Sequence, residues 1–364
     1  MGSRNLLSIV LLIVLTSFFS LNCYSKGNER NDTKIKGMFV FGSSLADNGN
    51  NAFLKTIANP NVLPYGIDFP EGPTGRFTNG KTVIDVFGDY LRLPHFIPPF
   101  YDPSTKGTKI INGVDFASGG SGILNDTGSE LGEVASLSTQ MRNFEETTLT
   151  QLKVQLGLKS EKFLRTYIFV VGTGANDYTS NYFARPINQT VEVFTINLIL
   201  LLSGHIKNLY NLGGRKFVLI GLYPLGCYPI HKAQTNCNKK LNDAANIYNS
   251  HLKSMIDDLH SQMPDSHLVF VNSYNIINDL ITNPISQGFK DASDPCCELF
   301  ISTRGEKRTS CNKDGKVCED RKTYIFFDGV HTTEAANSII ASKAFHSNLQ
   351  SQVYPINITQ LSII

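Results

Sequence analysis

Short, wholly apolar runs punctuate the chain at residues 38–41 (Met-Phe-Val-Phe), 168–171 (Ile-Phe-Val-Val), 217–220 (Phe-Val-Leu-Ile) and 268–271 (Leu-Val-Phe-Val), and glycine follows the first three at once. Runs of this length with no polar alternation predict strands buried on both faces. Between and after them, residues 82–91, 191–212, 239–262 and 333–349 carry apolar positions at helical spacing. Glycines 213 and 214 stop one of these helices and Pro264 stops another. Strands alternating with amphipathic helices predict an α/β fold, a mostly parallel sheet covered on both sides. In such sheets ligands bind beyond the carboxyl ends of the strands, so chemistry is sought just after each run.

Four segments hold polar residues of the right kinds, two directly after such runs and one after a further apolar run, 324–327, read as a strand of the same sheet rim. Residues 41–50 read Phe-Gly-Ser-Ser-Leu-Ala-Asp-Asn-Gly-Asn, 116–122 Phe-Ala-Ser-Gly-Gly-Ser-Gly, 172–177 Gly-Thr-Gly-Ala-Asn-Asp and 328–331 Asp-Gly-Val-His. Acyl transfer needs a nucleophile, a base, a group orienting the base, and donors for an oxyanion. Ser44 is the candidate nucleophile, in a turn predicted to open a helix at Leu45, where the helix dipole would favour a developing anion. The bland alternative, helix capping by Ser43 or Ser44, fits that segment taken alone. His331, with Asp328 three residues before it, is the candidate base and its orienter; the other seven histidines lack that pattern after an apolar run. Gly119 and Asn176 are candidate oxyanion donors beside the Ser44 N–H. Their rivals are a tight turn and an Asx-turn. A phosphate loop is excluded, since the glycine-rich segment has no following Lys-Ser/Thr and no G-x-G-x-x-G.

Composition narrows the classes further. Nothing divides residues 26–364 by composition or by a polar linker, so they read as one domain. A net charge of +2, spread along 364 residues, gives no footprint for nucleic acid; the basic cluster 304–308 contains an acid and reads as a solvated loop. Arg4, an apolar run over 6–15 and small residues at 23 and 25 form a secretory signal peptide over 1–25. A membrane anchor would need roughly 20 apolar residues, so none is expected after cleavage. The run 194–202 is too short to span and reads as a buried helix face. Cleavage leaves six cysteines, an even number suited to disulfides outside the cell. Cys227 with Cys237 closes a short loop; Cys296 and Cys297 pair with Cys311 and Cys318 in either order. No C-x-x-C or suitably placed histidine supports zinc, and no metal or cofactor is expected. Asn31, Asn125, Asn188 and Asn357 begin glycosylation sequons. The Phe and Tyr residues between 60 and 101 read chiefly as core, with an apolar entrance as the alternative.

At these residues the chain resembles the plant GDSL esterase/lipase family of the SGNH hydrolases. The resemblance extends to residues 73–81 (Pro-Thr-Gly-Arg-Phe-Thr-Asn-Gly-Lys), 221–227 (Gly-Leu-Tyr-Pro-Leu-Gly-Cys) and 332–337 (Thr-Thr-Glu-Ala-Ala-Asn), and so covers essentially all of 26–364. It implies a three-layer α/β/α, flavodoxin-like fold. It also implies hydrolysis of small-molecule or lipid carboxylic esters without metal or nucleotide, by Ser44, Asp328 and His331, with Gly119 and Asn176 as oxyanion donors. The implied compartment is extracellular, the cell wall or apoplast, with the vacuole as the alternative. Three positions depart from the family pattern: Ser43 stands for its Asp, Phe327 for its Trp, and Thr332 for its Pro. The first weakens the expectation of activity. Two alternatives follow, a secreted lipid- or glycan-binding protein and an acyltransferase using the same acyl-enzyme. An α/β-hydrolase would need a G-x-S-x-G elbow, which is absent.

Overall fold

The computed structural model describes residues 35–158, 161–232, 236–301 and 307–364. The proposed signal peptide, Asn31 and most of the basic cluster lie outside the described residues. Strands β1 (Gly37–Gly42), β2 (Gly113–Asp115), β3 (Tyr167–Gly172), β4 (Lys216–Ile220) and β5 (His267–Val271) form a parallel sheet. Its order is β2-β1-β3-β4-β5, and the short β10 (Val353–Tyr354) closes it antiparallel on β5. The four apolar runs are thus four central strands. Every residue of β1 is buried, as a strand between two helical layers requires.

The helices are α1 (Val83–Tyr90), α2 (Leu137–Arg142), α3 (Leu149–Leu156), α4 (Val191–Asn211), α5 (Lys239–Gln262), α6 (Ser273–Thr282), α7 (Glu334–His346) and α8 (Ile358–Ile363). Right-handed crossovers in this strand order place α1 on one face and α4 with α5 on the other. The packing agrees: α1 and α6 rest on α7, while α4 rests on α5. The result is the expected three-layer α/β/α arrangement.

Local chemistry sets the helix ends. Thr82 and Asp85 form a capping box on α1, and Thr190, Asn238 and Thr333 each cap the helix that follows. Gly213, at φ 113°, turns the chain out of α4, a conformation glycine adopts without penalty.

Several expectations are corrected. The run 194–202 is only partly buried. Phe194, Leu198 and Leu202 face the core, but Ile196, Leu200 and Leu201 are exposed on a 21-residue helix that is long and apolar enough to cross a membrane. The run 324–327 forms β9 (Tyr324–Phe326), which pairs not with the main sheet but in parallel with β6 (Asp291–Pro295). A further hairpin joins β7 (Leu299–Ile301) to β8 (Lys307–Cys311). Disulfides Cys296–Cys318 and Cys297–Cys311 staple this region, and Cys227–Cys237 stands as expected. Of the aromatics between 60 and 101, Tyr65, Phe69, Phe77 and Phe87 are buried.

Asn125 and Asn188 are exposed, whereas Asn357 is buried. Its side chain caps α8, accepting from Gln360 N at 2.9 Å while its Nδ2 donates to Ser347 O at 3.2 Å. Of the sequons among the described residues, this is the one whose amide is buried and engaged at both its oxygen and its nitrogen. Asn357→Ala is expected to lower stability by about 1 kcal/mol in denaturant titrations. Glycopeptide mass spectrometry of the folded protein should find position 357 unmodified.

Candidate active site

Four segments that are distant in sequence meet at the carboxyl ends of β1, β2 and β3. This is where the strand order reverses, between β1 and β3, the place a doubly wound sheet offers a ligand. Ser44 follows β1, and its Oγ lies 2.7 Å from His331 Nε2. The other ring nitrogen, Nδ1, lies 2.7 Å from Asp328 Oδ2. Asp328 Oδ1 accepts the N–H groups of Val330 (2.9 Å) and His331 (2.8 Å), so the three-residue spacing closes as a turn around the carboxylate. Phe327 N donates to His331 O at 2.7 Å and seals that turn. Asp328 is fully buried and His331 is 6 % exposed. The imidazole packs on Phe77, ring centroids 4.9 Å apart.

No helix opens at Leu45. Ser43 O accepts from Ala46 N and Asp47 N, making a single turn. The N–H groups that would extend it go to side chains instead: Gly49 and Asn50 donate to Asp47 Oδ1, and Asn48 donates to Asp115 Oδ2. A helix dipole therefore does not act on Ser44. Gln140 holds the last residue of β1, its Oε1 accepting Gly42 N and its Nε2 donating to Gly42 O, both at 2.8 Å. This buried amide treats Gly42 as a neighbouring strand would.

The glycine-rich loop after β2 is tied to the same turn. Ser118 N donates to Gly42 O, and Asn51 Nδ2 donates to Gly119 O. Gly119 departs from its expected role, because its N–H donates to Asp47 Oδ2 at 2.9 Å. The following N–H, that of Gly120, has no acceptor among the described residues. A side chain at position 119 is excluded in any case, since a Cβ there would sit 2.2 Å from Phe77 Cζ. Asn176 stands after β3, and its Nδ2 donates to Ser121 O at 2.9 Å, which leaves the second amide hydrogen.

Three buried carboxyls underlie these loops. Burial pushes Asp47 up to about 6 despite its backbone donors. Asp115 is raised by burial and then by the Asp47 charge. Burial likewise raises Asp177 to about 6, against the N–H groups of Leu124 and Ile123 and the Thr127 hydroxyl. None of these acids carries a sequence signal of its own beyond lying in a motif segment, as Asp47 and Asp177 do, or just before one, as Asp115 does. Gln140, and Tyr65, whose hydroxyl reaches Asp328 Oδ2 at 2.7 Å, are marked by no local pattern at all.

Comparison of the sequence with known proteins shows a family. A sequence model described as GDSL-like lipase/acylhydrolase matches residues 38–344. The chain belongs to that family. Among its relatives, GDSL esterase/lipase At4g16230 of Arabidopsis thaliana is 40 % identical over 98 % of this chain and 97 % of its own length. GDSL esterase/lipase At1g29670 of the same plant is 38 % identical over 97 % of each.

The family's Asp is replaced by Ser43, which is buried and whose hydroxyl makes no hydrogen bond among the described residues. Beside it is a cavity of about 30 Å³, also lined by Thr173, whose Oγ1 is buried without a partner. No bond links position 43 to His331 or Asp328, so Ser43→Asp is expected to fold and to change kcat/KM by less than about tenfold. A larger gain in steady-state assays would make the acid part of the relay.

Asp177 gives a pH-dependent expectation. With a folded value near 6 against about 3.9 unfolded, the folded chain retains a proton over that window that the unfolded chain has released. Its contribution is whole below about pH 4 and lost as pH rises towards 6. Asp177→Asn should therefore flatten the thermal-melt profile between those values. It should also lower Tm throughout, because the amide faces backbone donors with a donor of its own.

Proposed function

We propose that this family member is a secreted serine hydrolase that cleaves carboxylic esters through an acyl-enzyme on Ser44. The observation that carries the reading is the unbroken chain Ser44 Oγ–His331 Nε2–His331 Nδ1–Asp328 Oδ2, with both contacts at 2.7 Å. In it His331 takes the Ser44 proton as Oγ attacks the ester carbonyl, then returns it to the departing alcohol. Asp328 fixes the tautomer and steadies the imidazolium. A water activated by the same imidazole releases the acid. The Ser44 N–H and the free amide hydrogen of Asn176 serve the oxyanion. The third donor is assigned to Gly120, since the Gly119 N–H is committed to Asp47.

Secretion is supported by the N-terminal pattern over residues 1–25 and by three disulfides. Residues 26–364 then act as one hydrolase domain, with no membrane anchor and no cofactor. Exposed Asn125 and Asn188 are the sequons suited to glycans.

A fluorophosphonate should label Ser44 in the purified mature protein, and short p-nitrophenyl esters should be turned over. Ser44→Ala and His331→Ala should abolish both without altering circular dichroism. Asn176→Ala should lower kcat by about 10²–10³-fold with labelling retained. A folded wild type that resists the fluorophosphonate would favour a lipid- or glycan-binding protein instead.

A further inference from the structure

Asp328 Oδ2 is shared. It receives His331 Nδ1 and, also at 2.7 Å, the hydroxyl of Tyr65, a residue 263 positions away. Tyr65 is 4 % exposed, and its oxygen accepts Cys311 N at 3.1 Å. Cys311 is bonded to Cys297, whose N–H donates to the carbonyl of Phe327, the residue before Asp328. The Phe327 ring meets the Tyr65 ring edge-on, centroids 5.6 Å apart. Tyr65 is therefore held by the same stapled region that carries the triad carboxylate. A residue that only filled space would need no hydroxyl at this point.

We propose that Tyr65 is a positioning residue for the general base, fixing the Asp328 carboxylate and tempering its hold on His331. The inference rests on the hydrolase reading for its catalytic meaning. Two donors on one carboxylate oxygen compete for its charge. While the phenol donates, Asp328 stabilises the imidazolium less than it would alone. Burial, and then the Asp328 charge, hold the phenol well above its ordinary range, so it stays a donor at working pH. The phenols of Tyr228 and Tyr223 also face this region; burial raises both, and they stay neutral across the pH range of activity.

The experiment is a ring-proton NMR titration of His331 in the full mature chain, with kcat and KM measured alongside. Tyr65→Phe keeps the ring packing and removes only the donor. Its His331 titration should move to higher pH by about half a unit to one unit, with kcat lowered and KM held. Incorporating 3-fluorotyrosine at position 65 supplies a stronger donor and should move the titration to lower pH. Opposite shifts cannot come from a packing role. Unchanged titrations in both proteins, or shifts of one sign, overturn the proposal. If the wild type resists fluorophosphonate, the hydrolase reading falls, while the titration still tests Tyr65.

Discussion

Backbone that leaves a sheet loses its hydrogen-bonding partners, and at this rim buried carboxylates replace them. Asp47 accepts from Gly49, Asn50 and Gly119; Asp115 from Asn48 and Ala117; Asp177 from Ile123 and Leu124. Each N–H left unpaired in this interior would cost about 1–3 kcal/mol. An ionised carboxylate is acceptor-only, with room for several donors, and so can gather N–H groups from loops that no strand reaches. The penalty appears in the acids themselves, whose burial raises them. The gain is the turn that carries Ser44 and a glycine-rich loop locked together through a shared acceptor, Asp47.

Much of this was legible in the sequence, for a physical reason. Strands and helices declare themselves through local periodicity, so the central runs and helix caps are readable a few residues at a time. The Asp328–His331 turn is equally local. What escaped depends on distant acceptors. The helix expected at Leu45 is pre-empted by Asp115, 67 positions from Asn48, and the Gly119 amide is taken by Asp47, 72 positions away. Tyr65 and Gln140 act across 263 and 98 positions. Asn357 shows the same limit in miniature, since a sequon and a helix cap share one alphabet and only burial separates them.

The departures from the family pattern differ in how the structure absorbs them. Phe327 fills its buried place by packing on Tyr65. Thr332 lacks the fixed backbone of proline, yet its carbonyl accepts Thr78 Oγ1 at 2.9 Å, its hydroxyl donates to Asn337, and it bridges to Phe326. Both changes are compensated by neighbours that touch the histidine turn directly, and the 2.7 Å contacts from Ser44 to His331 and from His331 to Asp328 persist.

Ser43 is not absorbed in that way. It lines a cavity of about 30 Å³ together with Thr173, whose hydroxyl is buried without a partner among the described residues. The turn itself does not depend on that position, since its shape comes from the Ser43 carbonyl, Asp47 and Gln140 holding Gly42. The departure at Ser43 is thus local, and the geometry that sets Ser44 against His331 is held from the other side.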